Sequence, residues 1–262
     1  MNIIVLVKQV PDTSKIQIDP RTGTLKREGA PGIINPEDTH ALETALQLKE
    51  IRGGSITVVS MGPPQAIDAI SEALGMGADR GILLTDPFFA GADTWATSTV
   101  LGKTVQRLQP FDLILCGRQA IDGDTAQIGP QVAEFLNLPQ VTYVRHMETK
   151  DASIICERTV DGGIETAISP LPCLATVLAS KNRPRYPVIR NLLSACREKA
   201  PIEVWNAADI GLKVDDIGLL GSLTKVVRVF SPKQERMGEI WQDSADVMAT
   251  RLVDRLSAAH LL

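Results

Sequence analysis

Histidine occurs three times, cysteine four times, and aromatic residues make up 4% of the 262-residue chain; each scarcity closes off a class of chemistry. His40, His146 and His260 are too far apart in sequence to suggest a zinc site or a histidine-centred triad. Cys116, Cys156, Cys173 and Cys196 are widely spaced, three of them beside apolar residues, and none forms a C-x-x-C pair. Buried free thiols are therefore expected, not disulfides or metal ligands. Excess positive charge is missing as well: the formal net charge is −4 and the pI is about 5.5. That balance argues against nucleic acid or an anionic membrane as the main partner. No apolar run approaches the roughly 20 residues that cross a bilayer, and no basic region, apolar stretch and cleavage site follow one another before the first strand at Ile3. The expectation is no membrane span and a cytoplasmic location.

Several motifs are present only in fragments. Gly102-Lys103-Thr104 resembles the end of a P-loop, but position 97 is Thr where the first glycine belongs, and the segment lies in a helical pattern. The run from Gly75 to Gly81 has a faint dinucleotide look, yet it precedes a strand and its last spacing is wrong. Ser60 precedes Met61-Gly62-Pro63 with no paired base in view, so it reads as a strand-end serine and not a nucleophile.

What remains is an ordinary globular composition, 44% hydrophobic and 22% charged, in a chain long enough for one large core or one core with an appendage. Apolar runs at Ile3 to Val7, Ile56 to Val59, Gly81 to Leu84 and Phe111 to Leu115 read as buried strands. Helices are expected between them. Asn35 is a suitable cap and Pro36 a suitable first residue for one carrying Ala41, Leu42, Ala45, Leu46 and Leu48 inward, with Asp38 in its positively polarised first turn. Pro63 starts the next, with Ala66, Ile67, Ile70 and Leu74 turned inward, and Asp93 caps a third that runs through Leu108. The alternation predicts an α/β fold with a doubly wound, mostly parallel sheet of Rossmann-like type. Residues 11 to 34, where Ile16 and Ile18 alternate, read as a short edge hairpin. After Pro139 the runs Val141 to Met147, Ser153 to Thr159 and Ile164 to Ile168 predict an antiparallel meander, and Cys173 to Leu178 a last strand. From Lys181 periodicity is weak until an amphipathic helix from about Ser244 to His260, which suggests an extended C-terminal arm and not a second core.

The stretch after Leu115 carries most of the functional information: Cys116, then Gly117, Arg118, Gln119, Ala120, Ile121, Asp122, Gly123, Asp124, Thr125, Ala126, Gln127 and Ile128, then Gly129 and Pro130. It joins a strand to a helix whose apolar face is Ile128, Val132, Phe135 and Leu136. At the carboxyl edge of a parallel sheet, such a loop and the helix N-terminus favour an anion. Glycines 117, 123 and 129 would let the backbone approach a ligand, and Thr125 and Gln127 can hydrogen-bond phosphate or sugar oxygens. Pro130 places the start of regular helix near Gly129. By these features alone, an anion loop and an ordinary polar turn both remain open.

The loop resembles the adenine-nucleotide loop of the electron-transfer flavoprotein β subunit. Four further segments agree in order: Val7 to Thr13, Asn35 to Asp38, Ser60 to Pro63, and Asn182 to Tyr186. The resemblance covers essentially the whole chain. It implies a subunit of a heterodimer whose α subunit carries FAD, with either FAD or a structural AMP in the present chain. The implied nucleotide contacts are Leu6, Asn35, Pro36, Glu37, Asp38, Met61 and every residue from Gly117 to Ile128, several through backbone. The absence of an acid, base and nucleophile constellation suits a protein that leaves the chemistry to a cofactor. On this reading the chain is an electron-transfer subunit and not an autonomous catalyst.

Val10 to Thr13, Gly23 to Arg27, Ile34 to Asp38 and Phe89 to Thr94 look like the electron-bifurcating branch of that family, in which the β-subunit FAD takes a hydride from NADH. On that resemblance Ala90, Gly91 and Ala92 leave room for a nicotinamide, and Phe88 and Phe89 wall the pocket. The implied partners are the α subunit, a flavin-dependent dehydrogenase such as an acyl-CoA dehydrogenase, and ferredoxin or flavodoxin. The segment from about 181 to 197 matches the family's recognition loop, with Ile189 as apolar anchor flanked by Arg183, Arg185 and Arg190. The expected division is a nucleotide-binding domain at 1–180, with the recognition loop and an arm packing on the α subunit at 181–262. The alternatives are a non-bifurcating β subunit with AMP, and an adenine-nucleotide sensor of similar fold. The sensor would leave the segment 183–186 and the arm unexplained. An ATP-consuming ligase or hydrolase would need a P-loop and acidic metal ligands.

Overall fold

Alternation within the first strand shows how the sheet is built. In β1 (Asn2–Leu6), Ile3 and Val5 enter one apolar layer and Ile4 and Leu6 the other, because successive side chains of a strand point to opposite faces. The computed structural model describes residues 1–12, 17–18, 25–26, 31–179, 182–197, 199–227 and 238–262. Thr13, Ile16, and Gly23, Thr24 and Arg27 of the 23–27 segment lie outside them.

After β1 come the ribbon strands β2 (Gln9–Pro11), β3 (Gln17–Ile18), β4 (Leu25–Lys26) and β5 (Gly32–Ile34), then α1 (Pro36–Arg52), β6 (Ser55–Met61), α2 (Ile67–Met76), β7 (Arg80–Leu84), α3 (Thr94–Arg107), β8 (Leu113–Gly117) and α4 (Ile128–Leu136). The meander β9 (Gln140–Lys150), β10 (Ser153–Val160) and β11 (Gly163–Pro170) follows, then β12 (Cys173–Val177), α5 (Ile189–Ala195), β13 (Ile202–Trp205), α6 (Gly218–Gly221) and α7 (Ala245–Ala258). The large sheet has nine strands in the order β11-β10-β9-β12-β8-β1-β6-β7-β13. The pairings from β9 to β13 are all parallel, whereas β9, β10 and β11 pair antiparallel. The meander thus continues the parallel sheet. β2 with β5, and β3 with β4, form separate two-stranded antiparallel ribbons.

Helices cover both faces. Ala41, Leu42, Ala45, Leu46 and Leu48 of α1 join Ala69, Ala73 and Met76 of α2 on the face carrying Ile3, Val5, Ile56, Val58, Leu113 and Leu115. Val100, Leu101 and Val105 of α3 join Val132 and Ala133 of α4 on the face carrying Ile4, Leu6, Ile82, Leu84, Ile114 and Leu174. The Gly102-Lys103-Thr104 fragment lies inside α3, with Gly102 and Thr104 buried.

The chain runs β1, β6, β7 to one side of β1 and returns with β8 to the other. This reversal is the topological switch point of the sheet, where the carboxyl ends of adjacent strands diverge and open a crevice.

Two features of the second half depart from the sequence reading. The segment after β12 is not an arm at its start: the compact body extends over Met1–Lys225, and the second unit is Val226–Leu262. The expected boundary at 180 falls inside the first body. Three constraints hold the chain there. Asn182 Nδ2 donates to the His40 carbonyl at 3.0 Å and to Thr44 Oγ1 at 2.9 Å. The Val188 N–H donates to the Gly75 carbonyl at 2.9 Å. β13 extends the sheet by pairing Ile202 to Trp205 with Gly81 to Leu84 of β7, a strand too short and too mixed in polarity to announce itself as a periodic run. In the second unit, α7 starts and ends close to the sequence expectation and buries no residue, and the Arg251 guanidinium lies 4.8 Å from the Trp241 ring centroid.

Arg185 adds a further tie: its Nε and Nη2 each donate to Glu43 at 2.9 Å while Nη1 donates to Glu50 at 2.6 Å. Burial by itself would raise the Glu43 pKa, but the Arg185 hydrogen bonds outweigh it and hold the carboxyl below its ordinary value. A depressed folded-state pKa means that Glu43 contributes stability above its unfolded value of 4.5 and loses it as pH falls through the folded value. Arg185→Ala should therefore cost about 2–4 kcal/mol at pH 7, because it leaves a buried carboxylate without its partner. The gap from wild type should shrink below pH 4.5, as measured by urea denaturation at both pH values.

Candidate functional site

The crevice between β1 and β8 is held by the first turn of α1. Asp38 Oδ2 accepts from the Lys8 N–H at 2.8 Å, just past the end of β1, and Asp38 Oδ1 accepts from the Gly117 N–H at 2.9 Å, at the end of β8. One carboxylate therefore spans the switch point. Glu37 Oε2 accepts from the Gln119 N–H at 3.0 Å, and Glu37 Oε1 pairs with Arg118 Nη2 at 2.9 Å. Asn35 Oδ1 accepts from the Ile121 N–H at 3.1 Å, and its Nδ2 donates to the Gln119 carbonyl at 2.8 Å.

Asn35 was expected to cap α1, and its side chain makes no capping bond to the helix N–H groups but hydrogen-bonds the Asp38 carboxylate. Two physical reasons account for this. Pro36 at the first position has no N–H to cap, and the amides of Asp38 and Thr39 are already met by the Asn35 carbonyl at 2.9 and 3.2 Å. The freed amide side chain braces the loop from outside.

The loop itself takes its shape from residues that are not glycine. Asp124 has φ 52° and Ala126 φ 54°, a region L-residues visit at a cost. Left-handed Ala126 is followed by Gln127 at φ −107°, ψ −25°, an alternation that turns successive N–H groups into one concave surface suited to anions. Among the described residues, the N–H groups of Gly123, Thr125 and Ala126 meet no protein acceptor. The glycines serve otherwise than expected. A Cβ at Gly117 would lie 2.5 Å from Asp38 Oδ1, and one at Gly129 would lie 2.5 Å from Thr176 Cγ2. Both glycines admit close approach of the protein to itself, not of a ligand. Gly123 is exposed with nothing near it.

Asp122, Thr125 and Gln127 are exposed at the mouth of the crevice. The Lys8 Nζ pairs with Asp122 Oδ1 at 2.8 Å, and Gln119 pairs with Asp124. Gln127 Oε1 accepts from Thr94 Oγ1 at 3.1 Å, tying the α4 N-terminus to that of α3. Ala120 is half-buried within the loop and Ile121 exposed. Leu6 and Asn35 are buried, Pro36 is exposed, and Met61 is half-buried at the end of β6. Leu6 packs into the core, so it can meet a ligand only through its backbone. Ser60, also at that strand end, is fully buried, and its Oγ has no partner among the described residues.

Burial pushes the Asp38 carboxyl up to about 7, against the pull of the Lys8 and Gly117 N–H groups, with the nearby Glu37 charge adding to the rise. Burial and the adjacent Asp38 also push the Cys116 thiol up, so it is an inert neighbour. Three of the cysteines are buried as expected, but Cys196 is exposed just after α5.

Two expected surfaces are altered by packing. Phe89 does not wall a pocket: it is buried in the core, while Phe88 is exposed. The chain around α6 packs against one side of the turn at Ala90 to Ala92, while Ala90 and Gly91 stay exposed. A Cβ at Gly91 would touch Leu219 at 3.4 Å, and Asp93 N–H donates to Ser222 Oγ at 2.9 Å. In the 182–197 segment, Arg183 and Arg190 are exposed and Ile189 is 75% exposed beside exposed Tyr186, Val188 and Leu193. Arg185 does not join that surface as a free charge, because Glu43 and Glu50 hold its guanidinium.

Residues 22–210 match the electron transfer flavoprotein domain. The chain is 49% identical to the electron transfer flavoprotein subunit beta of Thermoanaerobacterium thermosaccharolyticum, an alignment that covers 100% of both. It is 45% identical to the caffeyl-CoA reductase-Etf complex subunit CarD of Acetobacterium woodii, again over 100% of both. Protein FixA of Azorhizobium caulinodans is 45% identical over 240 residues, which is 88% of this chain and 85% of that protein.

The roles of the glycines separate under substitution. Gly117→Ala forces a methyl against the Asp38 carboxylate and should cost about 1–3 kcal/mol, the usual penalty of overpacking. Gly123→Ala points into solvent and should stay within about 0.5 kcal/mol of wild type. Equal stabilities in thermal denaturation would contradict this assignment.

Proposed function

Because this chain belongs to the electron transfer flavoprotein family as a β subunit, we propose that it holds an FAD in the crevice between β1 and β8 and receives hydride from NADH there, in a heterodimer with an α subunit. The observation that supports this most is the loop of residues 122–128, whose concave, unpaired N–H groups stand at the switch point beside the N-terminus of α4. A diphosphate fits these donors better than a neutral ligand does. Thr125 and Gln127 flank them with a hydroxyl and an amide, and Met61 and the backbone of Leu6 lie on the adjacent strand ends.

FAD, when bound, would supply hydride acceptance and onward one-electron transfer. The residues of this chain anchor the phosphates, fix the loop through Asn35, Glu37 and Asp38, and exclude water from the strand ends. In the bifurcating reading, electrons go both to the α-subunit flavin and to ferredoxin or flavodoxin. The name of the Acetobacterium woodii relative, a subunit of a caffeyl-CoA reductase complex, supports a flavin-dependent acyl-CoA enzyme as the redox partner. We assign docking of that partner to the face carrying Ile189, Tyr186, Val188 and Leu193. There an exposed apolar anchor sits beside Arg183 and Arg190, so that charge steers encounter and apolar contact sets lifetime.

A second reading, a simple carrier with AMP in the same loop, is favoured by one observation: α6 and Ser222 already pack against one side of the turn at Ala90 to Asp93, where room for a nicotinamide was expected. Flavin and nucleotide content of the co-expressed heterodimer separates the two. Two FAD per heterodimer, with flavin bleaching on anaerobic addition of NADH, is the expected result; one FAD plus AMP, with no bleaching, would establish the carrier. In the same complex, Ile189→Ala should slow electron transfer to the dehydrogenase by about tenfold, the cost of one apolar anchor of roughly 1.4 kcal/mol. An unchanged rate in the folded complex would remove the docking assignment.

A further inference from the structure

Asn35, Glu37 and Asp38 share one helical turn but do different work. Asn35 and Glu37 reach residues 118–121 from the side, whereas Asp38 alone touches both strand ends that frame the crevice. It is 6% exposed, and its two oxygens accept from the amides of Lys8 and Gly117. With both oxygens buried and engaged by these amides, Asp38 acts on a ligand seated on residues 122–128 through the strand ends it ties.

We propose that Asp38 is a positioning residue for the β-subunit nucleotide: its ionised carboxylate braces the ends of β1 and β8 at the separation that presents the 122–128 amides to the phosphates, and its protonation loosens that brace. The proposal rests on the reading that this loop binds an adenine nucleotide.

The chemistry follows from the donors. A carboxylate accepts on both oxygens, but in the neutral acid the oxygen that carries the proton is a poor acceptor, and its O–H needs an acceptor of its own. One of the two amides then goes unmet, at a buried site where an unmet donor is costly. The groups around Asp38 permit this change at ordinary pH. Asn35, just before α1, hydrogen-bonds it and favours the ionised form, whereas Glu37 on α1 is like-charged and Cys116 on β8 presents a protonated thiol. The nearby cations Lys8 and Arg118 are paired with Asp122 and Glu37. With burial raising it to about 7, the carboxyl changes state across the neutral range. The sign differs for fold and site. Between its unfolded value of 3.8 and about 7 the folded chain holds a proton that the unfolded chain has lost, so this group's contribution to stability falls as pH rises through that window. The brace, by contrast, is complete only above it.

If only the ionised form is competent, the apparent dissociation constant scales inversely with its population, which gives about a tenfold weakening from pH 8 to pH 6. The test is equilibrium dialysis of the heterodimer, stripped of β-subunit nucleotide, against radiolabelled FAD and separately against AMP at both pH values, with circular dichroism to establish folding. Wild type should weaken about tenfold. Asp38→Asn, which keeps one acceptor and cannot ionise, should bind at pH 8 more weakly than wild type does at pH 6 and lose the pH dependence. Glu37→Gln, which keeps the Asp38 carboxyl but removes a charge that helps raise it, should bind more weakly at both pH values and retain a dependence whose midpoint lies lower. A flat wild-type profile, or the same slope in Asp38→Asn, overturns the positioning role while leaving nucleotide binding in place. Failure of wild type to bind either probe at any pH overturns both this role and the nucleotide reading.

Discussion

A single buried carboxylate stands where the sheet reverses direction. At that point β1 and β8 are neighbours in space, but 110 residues separate Leu6 from Cys116, their last paired residues, and their carboxyl ends have no further strand bonds to hold them at one spacing. The first turn of α1 provides it: Asp38 ties the two ends, and Glu37 and Asn35 extend the tie to residues 118–121. Remove that turn and the loop after β8 would keep the Arg118 N–H on the Val177 carbonyl, the Lys8–Asp122 pair and the Thr94–Gln127 bond, none of which ties the two strand ends together. The charge is expensive to bury, and the high pKa of Asp38 reflects that cost.

The same helix organises the other face of the molecule. Its middle turns carry His40, Thr44 and Glu43, which hold Asn182 and Arg185, and Glu50 adds a second acid to Arg185. The segment that begins after β12 is thereby laid along α1 before it turns into α5. Only then are Tyr186, Val188, Ile189 and Leu193 left exposed together. An apolar surface on a strapped segment is pre-ordered, so a partner does not have to supply the ordering entropy.

A loop that is to offer backbone donors to an anion needs them unpaired yet fixed. Here the two demands are met by different residues. Left-handed Asp124 and Ala126 create the concavity, while glycines 117 and 129 let α1, β8, β12 and α4 crowd together beneath it. Rigidity comes from packing at glycines 117 and 129, and the unpaired amides come from Gly123, Thr125 and Ala126.

The sequence by itself determined the α/β order, the inward faces of the helices apart from Ile67, which is exposed, and the strand-to-helix loop, since apolar runs of period 2 or 3.6 and prolines at helix starts are local signals. α1 begins at Pro36, α3 after its Asp93 cap, and α4 one residue before Gly129, all close to where those signals place them. Tertiary structure alone decided how Asn35 and Asp38 are used, because their strand and loop partners lie 30 to 86 residues away along the chain. It alone placed β13, whose four residues are a strand only because β7 offers them an edge. It also took Arg185 from the basic surface to which its neighbours belong: a cation in sequence is a free charge only until a buried acid such as Glu43 claims it. Local pattern records what a segment can become, whereas long-range pairing decides which of its polar groups remain free.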